Sequence, residues 1–421
     1  MKKPTLFQIF LIISVAFFLA TRLYILRDNN FHFTTDQGRD AVYVRDIIKN
    51  HTLFWKGPET SIRGIFTGPL WYYFLVPGYI LTQGHPIAAP LTLIFLNLIL
   101  LIYLAFWLKN NFSAQTSYLT ILALLTFWPF FETSLYGFNP FPAVTLAFLQ
   151  LTLLSQKKCR LSLLPLILAY NTNLAIALVL TLFQTIVFTS LKLRPKLKLG
   201  FPHLSLLLAI TSIIFFSISP YYRPWYTVYL PPLLVAALII TIIQSQLKIT
   251  RPILVLTFTL LVLNFATRYS TYLKPSPDPS LLYNQLKTID QIYASSANQG
   301  FAAYNYTNTF YDYPYQYLFY WYGRTKYDYL PCEYSNYPLS PKELYVPHFQ
   351  SYLEPRRACD RLKFLIIQSK GNGEDNSDWI QTFHQNYHLT SQTQIGAITI
   401  ENYEVTPTTP TDFCLWWHRC D

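Results

Sequence analysis

Residues 68–84 read GPLWYYFLVPGYILTQG, and the topology of the whole chain turns on whether this run crosses a membrane. It is apolar but short, contains Pro77 and opens on Trp71, Tyr72 and Tyr73, aromatics that favour a membrane–water interface. Other hydrophobic runs lie at 6–26, 86–108, 114–131, 140–155, 161–173, 174–190, 202–218, 227–246 and 252–267. A spanning helix needs about 20 residues. If 68–84 is interfacial or re-entrant, the loops holding Lys109, Lys157/Lys158/Arg160, Lys192/Arg194/Lys196/Lys198 and Lys248/Arg251 all fall on the side of Lys2 and Lys3. If it crosses, every later basic cluster moves outside, against the positive-inside bias. The sequence therefore predicts a polytopic α-helical membrane protein of about nine spans, N-terminus cytoplasmic and C-terminus extracytoplasmic. The pair 161–173 and 174–190 is short and interrupted by Tyr170-Asn171-Thr172-Asn173, which suggests a hairpin of short helices.

Composition agrees. Of 421 residues 52% are hydrophobic and only 13% charged, whereas a soluble domain carries about a quarter. The net charge of +11 sits largely in short loops between apolar runs, so it reads as topology and not as nucleic-acid binding. The first apolar run is too long for a signal peptide and no small-residue cleavage site follows it.

The chain divides into a transmembrane part, 1–268, whose first outer loop is 27–67, and a tail, 269–421, opening on the linker LKPSPDPS. In the tail, 281–294 reads as a helix, and 301–306, 364–368 and 395–405 read as strands, giving a small α+β domain. The stretch 304–329 is crowded with tyrosines, which suit either a core or membrane-resting face or a glycan- or lipid-contacting surface. Cys332, Cys359, Cys414 and Cys420 all lie in the tail, an even number that fits two disulfides in an oxidising compartment; Cys332–Cys359 with Cys414–Cys420 is one of three pairings. Cys159 lies in a basic loop.

Chemistry concentrates in the first loop, where residues 34–41 read TTDQGRDA. Between Glu59 and Asp278 the only acidic residue is Glu132, placed by the parity argument at the outer end of its span, on the same side as the loop. Ionisable groups near a bilayer are functional candidates by default. Asp36 precedes a helical pattern in which Ala41, Val44 and Ile48 share a face, as in an amphipathic helix on the membrane surface. It is either an N-cap or a general base for an acceptor's proton, and as an oxygen donor it could hold a divalent cation, Mg or Mn. Asp40 shares its helical face and Arg39 points elsewhere. Arg63 and Arg223 lie on the same side, where a guanidinium suits a phosphate or snorkels to the interface. Tyr136 and Asn139 either hydrogen-bond a sugar or build a helix-starting turn. Walker A, GxGxxG, HExxH and GxSxG patterns are absent, which argues against nucleotide-sugar chemistry on a soluble Rossmann domain. A transferase working outside the cytoplasm would lack nucleotide donors, which makes a lipid-phosphate sugar the natural one.

An N-terminal span, the loop DQGRDA, then GIFTGPLWYYFLVPGYIL and GFNPFPA together resemble the GT-C membrane glycosyltransferases. The closer resemblance is to bacterial members of glycosyltransferase family 39, related to protein O-mannosyltransferases and the lipid A aminoarabinose transferase. It covers about residues 5–270. The resemblance implies a catalytic Asp in the first loop, landing on Asp36; Asp40 and Glu132, on the same side, are expected from their place alone to orient or assist it. It further implies juxtamembrane helices, a polyprenyl-phosphate sugar donor, an inverting mechanism and a glycan, lipid or protein acceptor. Two departures stand out. Asn171 and Asn173 occupy the hairpin apex where many relatives have histidine or another polar pair, and Gln37 follows Asp36 where the family has a paired Asp-Glu. Rival readings are a lipid-linked oligosaccharide ligase or polymerase, a transporter or flippase, and a membrane-anchored binding module. A flippase would need ionisable groups deep in the bundle or broken helices on both sides, whereas here the acids crowd one side.

Overall fold

A computed structural model describes residues 4–306, 313–335, 361–368 and 378–405, apart from 61, 63, 195, 198, 219–221 and 246–248. In chain order its helices are α1 (Leu6–Leu26), α2 (Thr35–Asn50), α3 (Leu70–Leu81), α4 (Ala88–Asn111), α5 (Ala114–Thr126), α6 (Trp128–Glu132), α7 (Pro142–Ser155), α8 (Leu163–Tyr170), α9 (Leu174–Leu193), α10 (Phe201–Ser217), α11 (Leu230–Ser245), α12 (Thr250–Tyr272), α13 (Leu282–Ser295), α14 (Tyr313–Leu318), α15 (Arg324–Tyr327) and α16 (Asp378–Asn386). The strands are β1 (Phe301–Tyr306), β2 (Glu333–Ser335), β3 (Leu362–Gln368), β4 (His388–Ile395) and β5 (Ile398–Glu404).

The chain forms two compact units: Met1–Arg27, Leu53–Thr82 and Ile87–Lys274 in one, Asp28–Thr52, Gln83–Pro86 and Pro275–Asp421 in the other. The first loop is thus divided at Thr52, its α2 half belonging with the tail.

The first unit is a helical membrane bundle. Among the described residues five helices are long and apolar enough to cross a membrane, Leu6–Leu26, Ala88–Asn111, Leu174–Leu193, Pro224–Ser245 and Thr250–Tyr272. Shorter apolar helices, α5, α7 and α10, occupy the other long runs. The run at 68–84 becomes α3, a helix of 12 residues with Pro77 inside it. The expected span at 114–131 breaks in two. Phe127 is extended (φ −85°, ψ 111°) and caps α6, because Pro129 lacks the N–H that would continue α5. The hairpin at 161–190 is present, although only α8 is short; α9 runs for 20 residues. Its apex packs against the start of α3: Gly68 donates its N–H to the Tyr170 carbonyl at 3.2 Å. A Cβ at Gly68 would collide with the Asn171 side chain, which would have to turn aside to admit it.

The second unit is α+β, around a five-stranded sheet of order β2-β1-β3-β5-β4. β1 pairs in parallel with β2 and β3, and β5 antiparallel with β3 and β4. The strands expected from apolar residues are present as β1, β3 and β5, whereas the three-residue β2 and the polar, mostly exposed β4 (HLTSQTQI) carry no such pattern. The tyrosine-rich stretch is core in its described part: Tyr304, Tyr315, Tyr317, Tyr320 and Tyr329 are buried. Cys332 is disulfide-bonded; the other tail cysteines, Cys359, Cys414 and Cys420, and with them the expected pairings, lie outside the described residues. Cys159 is a free thiol.

Candidate active site

The acidic stretch opens α2. Thr34 is its N-cap, and Thr34 N donates to Gln37 Oε1 at 2.6 Å, closing the capping box over the first turn. Asp36 is therefore not the cap. It lies inside the first turn, where the helix macrodipole favours a negative charge.

Arg39 does not point elsewhere, as the helical spacing predicted. Its long side chain folds back along the helix and holds both carboxylates. Nη1 donates to Asp36 Oδ1 at 2.7 Å, while Nη2 and Nε donate to Asp40 Oδ1 at 2.8 and 3.0 Å. The two acids differ in surroundings. The Asp36 side chain is 40% exposed and the Asp40 side chain 1%. Asp36 Oδ2 has no hydrogen-bond partner among the described residues. The arrangement leaves one half-exposed carboxylate with a free oxygen, oriented by a guanidinium that a buried second carboxylate anchors.

Tail elements position this turn. The lead-in strand segment pairs with the start of α13: Phe33 N donates to Ser280 O at 2.8 Å and Leu282 N to Phe31 O at 2.9 Å. Gln285 Nε2 donates to Phe33 O at 3.0 Å. Gly38 lies against the backbone of Pro314 at the start of α14, where no side chain would fit. Further along α2, Arg45 Nε donates to the fully buried Asp46 at 3.3 Å and its guanidinium lies 4.7 Å from the Tyr320 ring centroid. The apolar face of α2, with Ala41 and Val44, is thus buried in protein, against α14. The segment Gln83–Pro86 is held in the same unit. Tyr317 Oη donates to Gly84 O at 2.6 Å, Trp321 Nε1 to Gln83 O at 3.0 Å, and His85 meets the Trp321 ring edge-on at 4.8 Å. Burial lowers the His85 pKa to about 4 and raises that of Tyr317 well above the usual phenol range.

In the helical unit, Glu132 ends α6 and is exposed. Its carbonyl accepts from Leu135 N at 3.0 Å and Tyr136 N at 3.3 Å, so Glu132 and Tyr136 begin and end one turn. Asn139 is 7% exposed and gives its amide to the Thr172 carbonyl at 2.8 Å, tying this turn to the hairpin apex. Arg223 is exposed and forms no ion pair among the described residues. Its neighbour Trp225 packs edge-on against Phe138 at 5.6 Å, bringing the Arg223 segment to the same turn. Arg63 lies outside the described residues. Glu132, Tyr136 and Asn139 thus lie on one turn within their unit, with the Arg223 segment tied to it through Trp225, and Asp36, Arg39 and Asp40 lie together within theirs.

Sequence reading passed over Arg22. It is fully buried in α1, its guanidinium 4.1 Å from the Phe18 ring centroid and 4.5 Å from that of Phe131. Nη1 donates to Thr21 Oγ1 at 3.0 Å, and Nε and Nη2 have no partner among the described residues. An arginine inside an apolar run was the available signal.

No group of three metal-ligating side chains occurs among the described residues, and Asp36 and Asp40 each give an oxygen to Arg39. These residues do not by themselves form a cation site, so no step below runs through a metal.

No family model matches the chain, and no curated protein matches it. Solved structures do. The crystal structure of ArnT from Cupriavidus metallidurans bound to undecaprenyl phosphate superposes with a TM-score of 0.53 at 11% identity, covering 96% of this chain and 98% of that one. The apo state of the same ArnT gives a TM-score of 0.50 at 11% identity, over 94% and 97%. The chain therefore shares the fold of ArnT along nearly its whole length.

Proposed function

We propose that this protein is a GT-C-type glycosyltransferase that moves a sugar from a polyprenyl-phosphate carrier to an acceptor at the extracytoplasmic membrane face. The observation that carries the proposal is the half-exposed Asp36, held by Arg39 and left with a free oxygen, on a chain with the ArnT fold. That solved relative binds undecaprenyl phosphate, which supports a polyprenyl-phosphate donor here.

The reaction needs little from the protein beyond a base, a cation and a defined geometry. The acceptor's hydroxyl or amine attacks the anomeric carbon, its proton passes to Asp36, and the carbon–oxygen bond to phosphate breaks with its electron pair leaving on the phosphate. One such displacement inverts the anomeric centre. Asp40 fixes Arg39, and Arg39 in turn fixes the Asp36 carboxylate. Negative charge grows on the departing phosphate, the role for which Arg223 and Arg63 are assigned, since a planar guanidinium binds two phosphate oxygens. Glu132 and Tyr136 are assigned to the sugar or acceptor, and Asn139 to holding the hairpin apex.

Mass spectrometry of lipid-linked sugars and envelope glycans in cells with and without the protein tests the reading. Loss of the protein should raise one polyprenyl-phosphate sugar and remove that sugar from one envelope acceptor. Unchanged profiles in both fractions would refute it.

A further inference from the structure

A cavity of about 400 Å³ opens between the C-terminal ends of α7 and α9 and the chain entering α10. It falls in the range of ligand pockets, about 300–1,000 Å³. Its lining is mainly aliphatic, Leu154, Val187, Leu191, Leu197 and Leu199, with Lys157 among the lining residues. None of these residues takes part in the chemistry proposed above.

Lys157 stands where its backbone does not favour it. The end of α7 forms a Schellman turn: Lys158 N donates to Leu153 O and Lys157 N to Leu154 O, both at 2.9 Å. The second position of that turn, Lys157, has φ 60°, the left-handed region that glycine occupies most easily. A positive charge near a helix C-terminus accounts for a lysine in this turn, but not for one in the left-handed position.

Around it, Lys158, Arg160, Lys192, Arg194 and Lys196 are all exposed. From residue 133 to 277 the sequence holds no acidic residue, and none of these cations forms an ion pair among the described residues. The positive-inside bias accounts for basic loops, but not for an apolar cavity lined in part by one of their lysines.

We infer that this cavity is a binding site for an anionic phospholipid, with an acyl chain among the leucines and the phosphate at Lys157 and the surrounding cations. Charge complementarity selects the anionic lipid over a zwitterionic one. A basic residue near an anionic bilayer surface contributes about 1 kcal/mol, roughly a fivefold preference.

The test uses purified full-length protein in bilayer discs of equal parts phosphatidylcholine and phosphatidylglycerol, with retained lipids counted by native mass spectrometry. The wild type should retain phosphatidylglycerol in preference. Lys157→Gly removes the amine and relaxes the turn, so its melting temperature without lipid should be unchanged or higher while the preference falls about fivefold. Leu191→Trp fills the cavity and should reduce retention of both lipids. Equal retention of the two lipids by the wild type, or an undiminished preference in Lys157→Gly, would overturn the inference.

Discussion

Asp36 and Asp40 stand four residues apart and share one cation, yet their surroundings give them different work. Asp40 is closed off from water and tied to Arg39 by two short bonds, which compensate its charge. Asp36 faces solvent. Removing Arg39 takes the guanidinium from a buried carboxylate, and losing one partner of a buried pair costs about 3–5 kcal/mol. Arg39→Ala should therefore lower the melting temperature markedly, and adding Asp40→Asn should recover part of the loss; a melting curve of the single and double variants reads this directly. His85 gives a pH prediction. With its pKa lowered to about 4 by burial, the folded protein leaves it neutral between about pH 6.5 and 4, where the unfolded chain takes up a proton. Stability is fully present above that window and falls as pH drops through it, and His85→Gln should flatten the decline measured by thermal unfolding across it. The place of Asp36 at the start of a helix was legible as an early acid ahead of a helical pattern. The reach of Arg39 was not, because helical spacing gives Cβ positions and not the path of a long side chain.

Among elements, α2 carries the clearest lesson. Its periodicity was visible in Ala41, Val44 and Ile48, but not its partner, since an amphipathic face looks the same whether it lies on lipid or on protein. The structure places α2 in the unit of the tail, with Arg45 and Asp46 buried and the lead-in segment paired with α13. Truncation before Pro275 should then expose that face and the Arg45–Asp46 pair and abolish transfer, although the membrane helices remain; an assay of the truncated protein in membranes decides the point. The break between α5 and α6 was written in Pro129, two residues after Phe127, and could have been read from the proline alone. The strand β4 gave no apolar alternation to read, because it is an exposed edge.

For the whole molecule, hydropathy and basic loops carried the helical count, since a bilayer constrains length and charge more strictly than water does. The same parity argument makes a claim about sidedness. Cys159, a free thiol in the basic 157–160 turn, should be protected from a membrane-impermeant thiol reagent in intact cells and labelled once the membrane is opened, as read from its own peptide. Labelling in intact cells would invert the topology and place the basic clusters outside. The central claim rests on Asp36, and purified protein supplied with a polyprenyl-phosphate sugar and a membrane extract as acceptor source addresses it most directly. The account predicts that wild type liberates polyprenyl phosphate as sugar is transferred, while Asp36→Asn, with an unchanged melting temperature, is slower by at least about 100-fold. Turnover of Asp36→Asn at the wild-type rate would contradict it.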